Sequence, residues 1–319
     1  MRTNFRNDGG QTAGFVAISM VALIAMTAFV LDVGSWFRAD RQLQTVADAA
    51  ALAGAQFLSY DPGTAVSTAT DYAKKNGGPT AESLKVEKDL VTNDTLSVSY
   101  SQAVDGLFAR ILGINTVTVR ATAKARSSTP ASALWVAPIV VSEKHPLLHC
   151  TSPGKCSPEY GVQTDLTLDN LKPGGGGPDA AGAFGLLNLN KGDSSGTIGS
   201  NELADWLTTG YDQEMTPGVY YSVPSAKFNS SEFSSAIEGK INSGDEILIP
   251  IYRKLVKTGS NAEYTIVGWV GFVIEAMLGS GDSAQLRGHF TRVVWDGVPS
   301  GSPSDATPDY GAHVVSLTG

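Results

Sequence analysis

The 319-residue sequence is poor in the residues from which catalytic and metal sites are usually built. It has four histidines, two cysteines and only 17% charged residues. It contains no H-E-x-x-H, P-loop or G-x-G-x-x-G pattern, which removes the usual signs of a zinc peptidase, a nucleotide hydrolase and a dinucleotide enzyme. We therefore expect a protein that is not an enzyme and that needs no cofactor or resident metal. A Ser/His/Asp group assembled from distant parts of the chain is the alternative that composition leaves open.

The chain also lacks an excess of positive charge. Its formal net charge is −8 and its sequence pI is about 5.0, which argues against nucleic acid as a partner. The 35 glycines, together with few charges, favour a β-rich, turn-rich chain outside the cytosol.

Charge is missing altogether from Thr12 to Leu31, TAGFVAISMVALIAMTAFVL. Twenty residues of helix span about 30 Å, the thickness of the hydrocarbon core of a bilayer. The stretch is too long for a secretory signal, and no convincing Ala-x-Ala site closes it. After a short head, residues 1–11, we thus expect one membrane span at 12–31, with membrane lipid as a partner.

Proline is absent from Thr12 to Ser59, and the first strong breaker is Asp61-Pro62-Gly63. Apolar residues recur at three- and four-residue spacing in the second half of this interval, which is typical of one helix face. The pattern predicts one helix from about Thr12 to Ser59. Two helices with a bend at Gly34-Ser35 are the alternative.

The second half of this helix carries a stripe of small residues. Small side chains let another backbone approach closely. The stripe either seats the protein's own sheet or packs against helices of other subunits, and the two roles are compatible. Its members are Ala47, Ala50, Ala51 and Gly54.

The flanking charges and the two cysteines bear on topology. Arg2 and Arg6 precede the span, while Arg38 and Arg41 follow it beside acidic residues, which slightly favours a cytoplasmic N-terminus and an extracytoplasmic remainder. Disulfides persist outside the cytosol, and Cys150 and Cys156 enclose a short loop that a disulfide would close easily. Free thiols, or a zinc site with His145 and His149, are the alternatives. The spacing fits no common zinc pattern.

Two regions follow the helix. Residues 64–127 suggest a small α/β region. Its parts are a helix at Thr64–Lys75, a hairpin of Leu84–Val91 with Thr95–Ala103, an amphipathic helix at Val104–Leu112 and a strand at Asn115–Ala125. After a linker at 127–130, residues 131–319 suggest a mostly antiparallel, β-rich domain with short helices. Its predicted strands are Leu134–Ser142, Phe184–Leu189, Glu246–Tyr252, Tyr264–Ala276 and Gly288–Trp295, and its predicted helices are Asn201–Thr208 and Phe228–Ile241. Residues 171–182 are predicted to be a loop, and Asn188–Asp193 to be a hairpin turn rather than a calcium loop. The fold class is α+β.

A family resemblance rests on three motifs. D-x-G-x-W occurs at Asp32–Trp36, RQLQTVADAAALAGA at Arg41–Ala55, and the alternating strand VTVRATAKA at Val117–Ala125. Following an apolar span, these motifs resemble the TadE/TadG-like proteins of the tight-adherence (Flp-type) pilus system. The resemblance covers roughly the first 125 residues.

The resemblance implies a membrane-anchored pilus-assembly or minor-pilin-like structural component with an exported interaction domain. Its implied partners are other pilus-assembly or pilin subunits. The chain departs from the prepilin pattern, because Ser19 stands where a prepilin cleaved after Gly14 has glutamate. The competing function is a membrane-tethered extracytoplasmic enzyme or ligand-binding receptor.

Overall fold

A computed structural model describes residues 9–168, 182–190, 198–257, 262–279, 283–302 and 307–318. The chain divides into two compact units. Unit 1 comprises Met1–Glu87, Thr95–Ala125 and Leu317–Gly319, and unit 2 comprises Lys88–Asp94 and Arg126–Ser316. The architecture is α+β, with a long N-terminal helix and a β-rich C-terminal region, as predicted.

Unit 1 begins with one uninterrupted helix, α1, Gly9–Ala55. The predicted continuity is confirmed and no bend into two helices occurs at Gly34. The predicted end at Ser59 is wrong by four residues. Beyond Ala55 the chain tightens, since the N–H of Phe57 donates to Gly54 O and the N–H of Leu58 to Ala55 O, which are i→i−3 bonds.

The second helix, α2, Pro62–Lys75, begins at a well-formed cap. The Asp61 carboxylate accepts hydrogen bonds from the N–H groups of Gly63 and Thr64, and proline occupies the first helical position. These bonds hold the pKa of Asp61 below its usual value. Alanines at 65, 69 and 73 form the buried face.

The sheet of unit 1 contains β1, Ser83–Glu87, β2, Thr95–Asp105, and β3, Thr116–Ser128, in that order. β1 and β2 form the predicted antiparallel hairpin. The predicted helix at Val104–Leu112 is wrong. β2 runs on to Asp105, and only a single 3-10 turn, Ala109–Leu112, follows, because its apolar residues have no core to face.

The chain enters unit 2 within β3, so the predicted linker at 127–130 is wrong. Ser127 and Ser128 are buried in β3, and Pro130 begins β4, Pro130–Ala133, which pairs with β13, Gly297–Pro299. Two further short strands, β12, Val293–Val294, and β14, Ala312–Leu317, pair in parallel.

A closed six-stranded barrel forms the core of unit 2. Each strand pairs with the next in the cycle β5–β9–β10–β11–β6–β7–β5. Strand β8 lies between β7 and β10 and pairs with both. The strands are β5, Ile139–Ser142; β6, Gln163–Leu168; β7, Ala183–Leu187; β8, Gly218–Val223; β9, Glu246–Val256; β10, Glu263–Leu278; and β11, Gln285–Thr291. The predicted strand at 134–142 is too long, since only its last four residues belong to β5.

Two helices pack beside the barrel, α3, Ser200–Thr208, and α4, Ser231–Ser243. α3 begins at Ser200, one residue before the predicted start, and Gly199 is its N-cap residue. α4 is capped by Ser230, whose hydroxyl accepts from the Phe233 N–H, so the predicted start at Phe228 lies three residues too early. The predicted loop at 171–182 lies, apart from Gly182, outside the described residues, as does the second half of the predicted turn at 188–193.

Candidate functional site

The first candidate surface is the N-terminal half of α1. Every large apolar side chain from Phe15 to Leu31 is more than half exposed. α1 is long and apolar enough to cross a membrane, and it is the one such helix within the described residues. This supports a single-pass anchor.

Asp32, directly after this apolar stretch, is only 1% exposed. Its carboxylate accepts hydrogen bonds from three successive backbone N–H groups, those of Leu107 at 2.8 Å, Phe108 at 2.9 Å and Ala109. A buried carboxylate requires such partners, and three orphan donors at the start of a 3-10 turn require an acceptor. Asp32 therefore fixes the loop 106–114, here called the apolar loop, against α1.

The apolar loop is closed by its own backbone. The N–H of Gly106 donates to Asn115 O, that of Gly113 to Arg110 O and that of Ile114 to Ala109 O. Gly113 has a φ of 84°, the left-handed conformation that glycine adopts most readily. The large side chains at the tip of the apolar loop nevertheless face outward, with Ile111 84% and Leu112 80% exposed.

A cleft of about 450 Å³ separates the apolar loop from α1. Nearly all of its lining is hydrocarbon, with Asp32 at its edge. The helix contributes Val21, Ile24, Ala25, Ala28, Phe29 and Trp36, and the loop contributes Phe108, Ala109, Ile111, Leu112 and Ile114. The tip of the loop therefore lies beside helix residues 21–29.

The small-residue stripe lies in the other half of α1. Ala47, Ala50 and Ala51 are completely buried within unit 1, where α1 packs against α2 and β2. A Cβ atom on Gly54 would come 2.3 Å from Leu96 Cδ2 and 2.6 Å from Ala65 O. The stripe thus seats parts of the same chain on the helix. Whether it also contacts other subunits stays a prediction.

A disulfide joins Cys150 and Cys156, which leaves no thiolate to bind zinc. The loop between them is attached to the barrel through Glu143, which directly follows β5. Glu143 Oε1 accepts from Gly154 N–H at 3.0 Å and from the hydroxyl of the fully buried Tyr310 at 2.8 Å. Arg253 completes the group with a two-pronged ion pair, Nε to Oε2 at 2.7 Å and Nη2 to Oε1 at 3.0 Å.

The electrostatics of this group explain why it is a structural tie. Burial raises the pKa of Glu143, but the hydrogen bonds of Arg253, Gly154 and Tyr310 outweigh burial and hold the pKa below its usual value. Burial, and then Glu143, raise the pKa of Tyr310. The carboxylate stays ionised and both its oxygens are engaged, so it is poorly suited to act as an acid, a base or a cation ligand.

Three of the four histidines have structural surroundings. Burial lowers the pKa of His145 to about 4, and its Nδ1 accepts from the Leu147 N–H while Nε2 lies 3.3 Å from Thr164 Oγ1. The half-exposed His149 pairs with Glu159 at 3.2 Å. His289 Nδ1 lies 2.7 Å from Glu275 Oε1.

The fourth histidine, His313, lies between a serine and an aspartate. Its Nδ1 is 3.3 Å from Ser127 Oγ, and its Nε2 is 3.2 Å from Asp309 Oδ1. All three residues line a second cleft, about 480 Å³ in volume. Burial raises the pKa of Asp309, but His313, the Gly311 N–H and Arg292 outweigh burial and lower it overall. Sequence reasoning missed this group, because Ser127 lies 186 positions before His313 along the chain.

A hydrolase also needs free N–H donors that stabilise an oxyanion. Near His313, the N–H of Ser127 already donates to Asp94 O, that of Gly154 to Glu143, and that of Gly311 to Asp309. The sequence GDSSG at 192–196 fits the G-x-S-x-G pattern, but residues 191–197 lie outside the described part of the chain.

Comparison with known proteins bears on α1. Residues 10–56 match the family model described as "Putative Flp pilus-assembly TadE/G-like". The predicted resemblance is confirmed over that segment. The TadE/G-like segment coincides with nearly all of α1, including Asp32 and the small-residue stripe. No curated protein and no solved structure matches the chain.

The role of Asp32 escaped sequence reasoning although its D-x-G-x-W motif was recognised. A charged residue directly after an uncharged span is a usable signal. Its partners, the N–H groups of residues 107–109, lie 75 to 77 positions away and carry no sequence signature.

Proposed function

We propose that the protein is a membrane-anchored, non-catalytic component of a pilus-assembly system of the tight-adherence type. The observation that carries the proposal is the TadE/G-like match over residues 10–56, on a helix whose first half is apolar and exposed. Unit 2 is proposed to be the exported domain that contacts other pilus subunits.

The proposed topology places the N-terminus in the cytoplasm, residues 12–31 in the membrane, and the rest of unit 1 together with unit 2 outside. The disulfide between Cys150 and Cys156 supports this, since such bonds persist in oxidising compartments. Protease added to spheroplasts tests the topology. Digestion of unit 2 with survival of an N-terminal tag is expected, and the reverse pattern would reject it.

Copurification of the intact protein from native membranes tests the pilus assignment. Pilus-assembly or pilin subunits are expected among the recovered proteins. As a matched control, a chain in which residues 12–31 are replaced by an unrelated membrane span should stay in the membrane and lose partners that bind this half of the helix. Recovery of the membrane-anchored protein without any pilus component would contradict the assignment.

The competing hydrolase function has one observation in its favour, the contact of His313 with Ser127 and Asp309 beside a cleft. A fluorophosphonate probe, which labels activated serines, distinguishes the two functions. We expect no labelling beyond that of the Ser127→Ala variant. Labelling that depends on both Ser127 and His313 would favour the hydrolase.

A further inference from the structure

We infer that the apolar loop, residues 106–114, is a second membrane contact that inserts Ile111 and Leu112 among lipid acyl chains beside α1. The inference rests on the proposed membrane anchor. The loop lies beside the span, because its side chains share one cleft with Val21 to Phe29 of the helix. Those helix residues belong to the uncharged stretch 12–31 that is long enough to span a bilayer. If they lie in hydrocarbon, so does the tip of the loop.

The composition and exposure of the loop fit lipid. Leu107, Phe108, Ile111, Leu112 and Ile114 are 41–84% exposed, although each would favour a core position. They are continuous with the exposed apolar face of α1, and together they form a single hydrocarbon surface on unit 1. Water is a poor solvent for such a surface, and the bilayer that holds the helix is directly beside it.

The backbone of the loop is also prepared for an environment without water. Non-helical backbone enters hydrocarbon only when its polar groups have partners. The N–H groups of residues 107–109 donate to Asp32, and those of Gly106, Ile111, Gly113 and Ile114 donate to carbonyls within the segment. Asp32 thus removes the three donors that would otherwise oppose insertion.

The polar residues around the loop are placed as an interface requires. Arg110, 59% exposed, pairs with Asp105 at 3.8 Å, and its long stem can reach the headgroups. Trp36, four residues after Asp32 on the helix, also lines the cleft. Tryptophan is enriched at the membrane surface, where its ring lies at the level of the headgroups.

A helix of another subunit is the competing occupant. It would have to present side chains that match the shape of the cleft, which is about 450 Å³ in volume. Flexible acyl chains can fill it without a matching shape.

Spin labels on the full-length protein test the inference in vesicles of phosphatidylethanolamine and phosphatidylglycerol. Labels at Ile111→Cys and Leu112→Cys are compared with Ile24→Cys on the span and with Val91→Cys, an exposed apolar position in unit 2. Oxygen concentrates in hydrocarbon and a nickel chelate stays in water. We expect both loop labels to match Ile24, with an oxygen-to-nickel accessibility ratio several-fold above that of Val91.

Each of the other outcomes contradicts a specific part of the proposal. A lipid-like Ile24 label with water-like loop labels rejects the insertion and leaves the anchor intact. Water-like labels at both places reject the proposed anchor itself. Loop labels shielded from both reagents show that protein, such as a second copy, covers the cleft.

Asp32→Ala in the Leu112→Cys background tests the clamp. We expect the Leu112 label to lose its lipid-like ratio, whereas Asp40→Ala, an exposed carboxylate on the same helix, leaves the ratio unchanged. An unchanged ratio in the Asp32→Ala protein would overturn the positioning role of Asp32.

Discussion

The two units have cores of opposite character. In unit 1, where α1 packs against α2 and β2, most buried apolar side chains are small, among them the alanines at 47, 50, 51, 65, 69, 73, 121, 123 and 125. In unit 2 the core is aromatic. All of the largest fully buried side chains except Tyr100 and Leu43 lie there, among them Trp269, Phe272, Phe290 and Tyr310.

This difference predicts which kind of substitution destabilises each unit. Backbones that are separated only by methyl groups leave no room for added atoms. A barrel whose interior is filled with aromatic side chains loses stability when one of them is truncated and leaves a cavity. Unit 1 should therefore be sensitive to added volume and unit 2 to lost volume. Hydrogen exchange followed by mass spectrometry measures both units in one full-length protein.

The largest effect is expected from Phe272→Ala in unit 2. Phe272 is buried in β10 and contacts Phe290 with ring centroids 5.4 Å apart. Removing the ring should lower the free energy of unfolding of unit 2 by about 4 kcal/mol. Exchange should rise in barrel peptides and stay unchanged in α2. Phe272→Leu, which keeps much of the volume, should cost less than half as much. Equal losses in both units would show that they unfold together.

Asp32→Ala comes next and acts on unit 1 alone. Three N–H groups lose a charged acceptor, and each such hydrogen bond contributes about 1 kcal/mol, or about 3 kcal/mol in total. Faster exchange is expected at residues 107–114, with little change in the barrel. Asp40→Ala is the matched control. Slow exchange of the loop in the Asp32→Ala protein would contradict the clamp.

Gly54→Leu tests the sensitivity of unit 1 to added volume. The new Cβ would overlap Leu96 and the carbonyl oxygen of Ala65. The cost should reach the upper part of the range of about 1–3 kcal/mol that overpacking produces. Gly34→Leu provides the control, because nothing lies within 4 Å of its added Cβ. Similar abundance and thermal stability of the two variants would reject the packing explanation.

The smallest effect concerns pH and unit 2. The pKa of His145 is about 4 in the folded protein and about 6.5 when unfolded, so between these values the unfolded chain binds a proton that the folded chain does not. Stability therefore falls as pH falls, by about 2 kcal/mol from pH 7 to pH 5. Urea unfolding followed by tryptophan fluorescence measures this in unit 2, which holds four of the five tryptophans. The loss should be smaller in His145→Gln and unchanged in His149→Gln.

Features with a local sequence pattern could be predicted, and features that depend on distant partners could not. Periodicity revealed α1, the hairpin of β1 with β2 and the long strands of the barrel, because each pattern is local. It failed at Val104–Leu112, where the tertiary bond to Asp32 sets the conformation and exposed apolar side chains resemble a core stripe. It also failed at Ser127 and at Glu143, because their partners come from distant segments.

Closure of the barrel has a consequence for how this domain meets other molecules. A sheet whose strands form a cycle has no free margin along which a foreign strand could pair. Strand addition, a common route both to fibres and to misassembly, is thus denied to the barrel of unit 2. Outside the barrel, among the described strands, β1 and β12 each end the order of a sheet, and β13 pairs with β4 alone, so these strands keep an open side. Recognition of the barrel should then depend on side chains and their shape, and backbone pairing with another chain would have to begin at strands outside it.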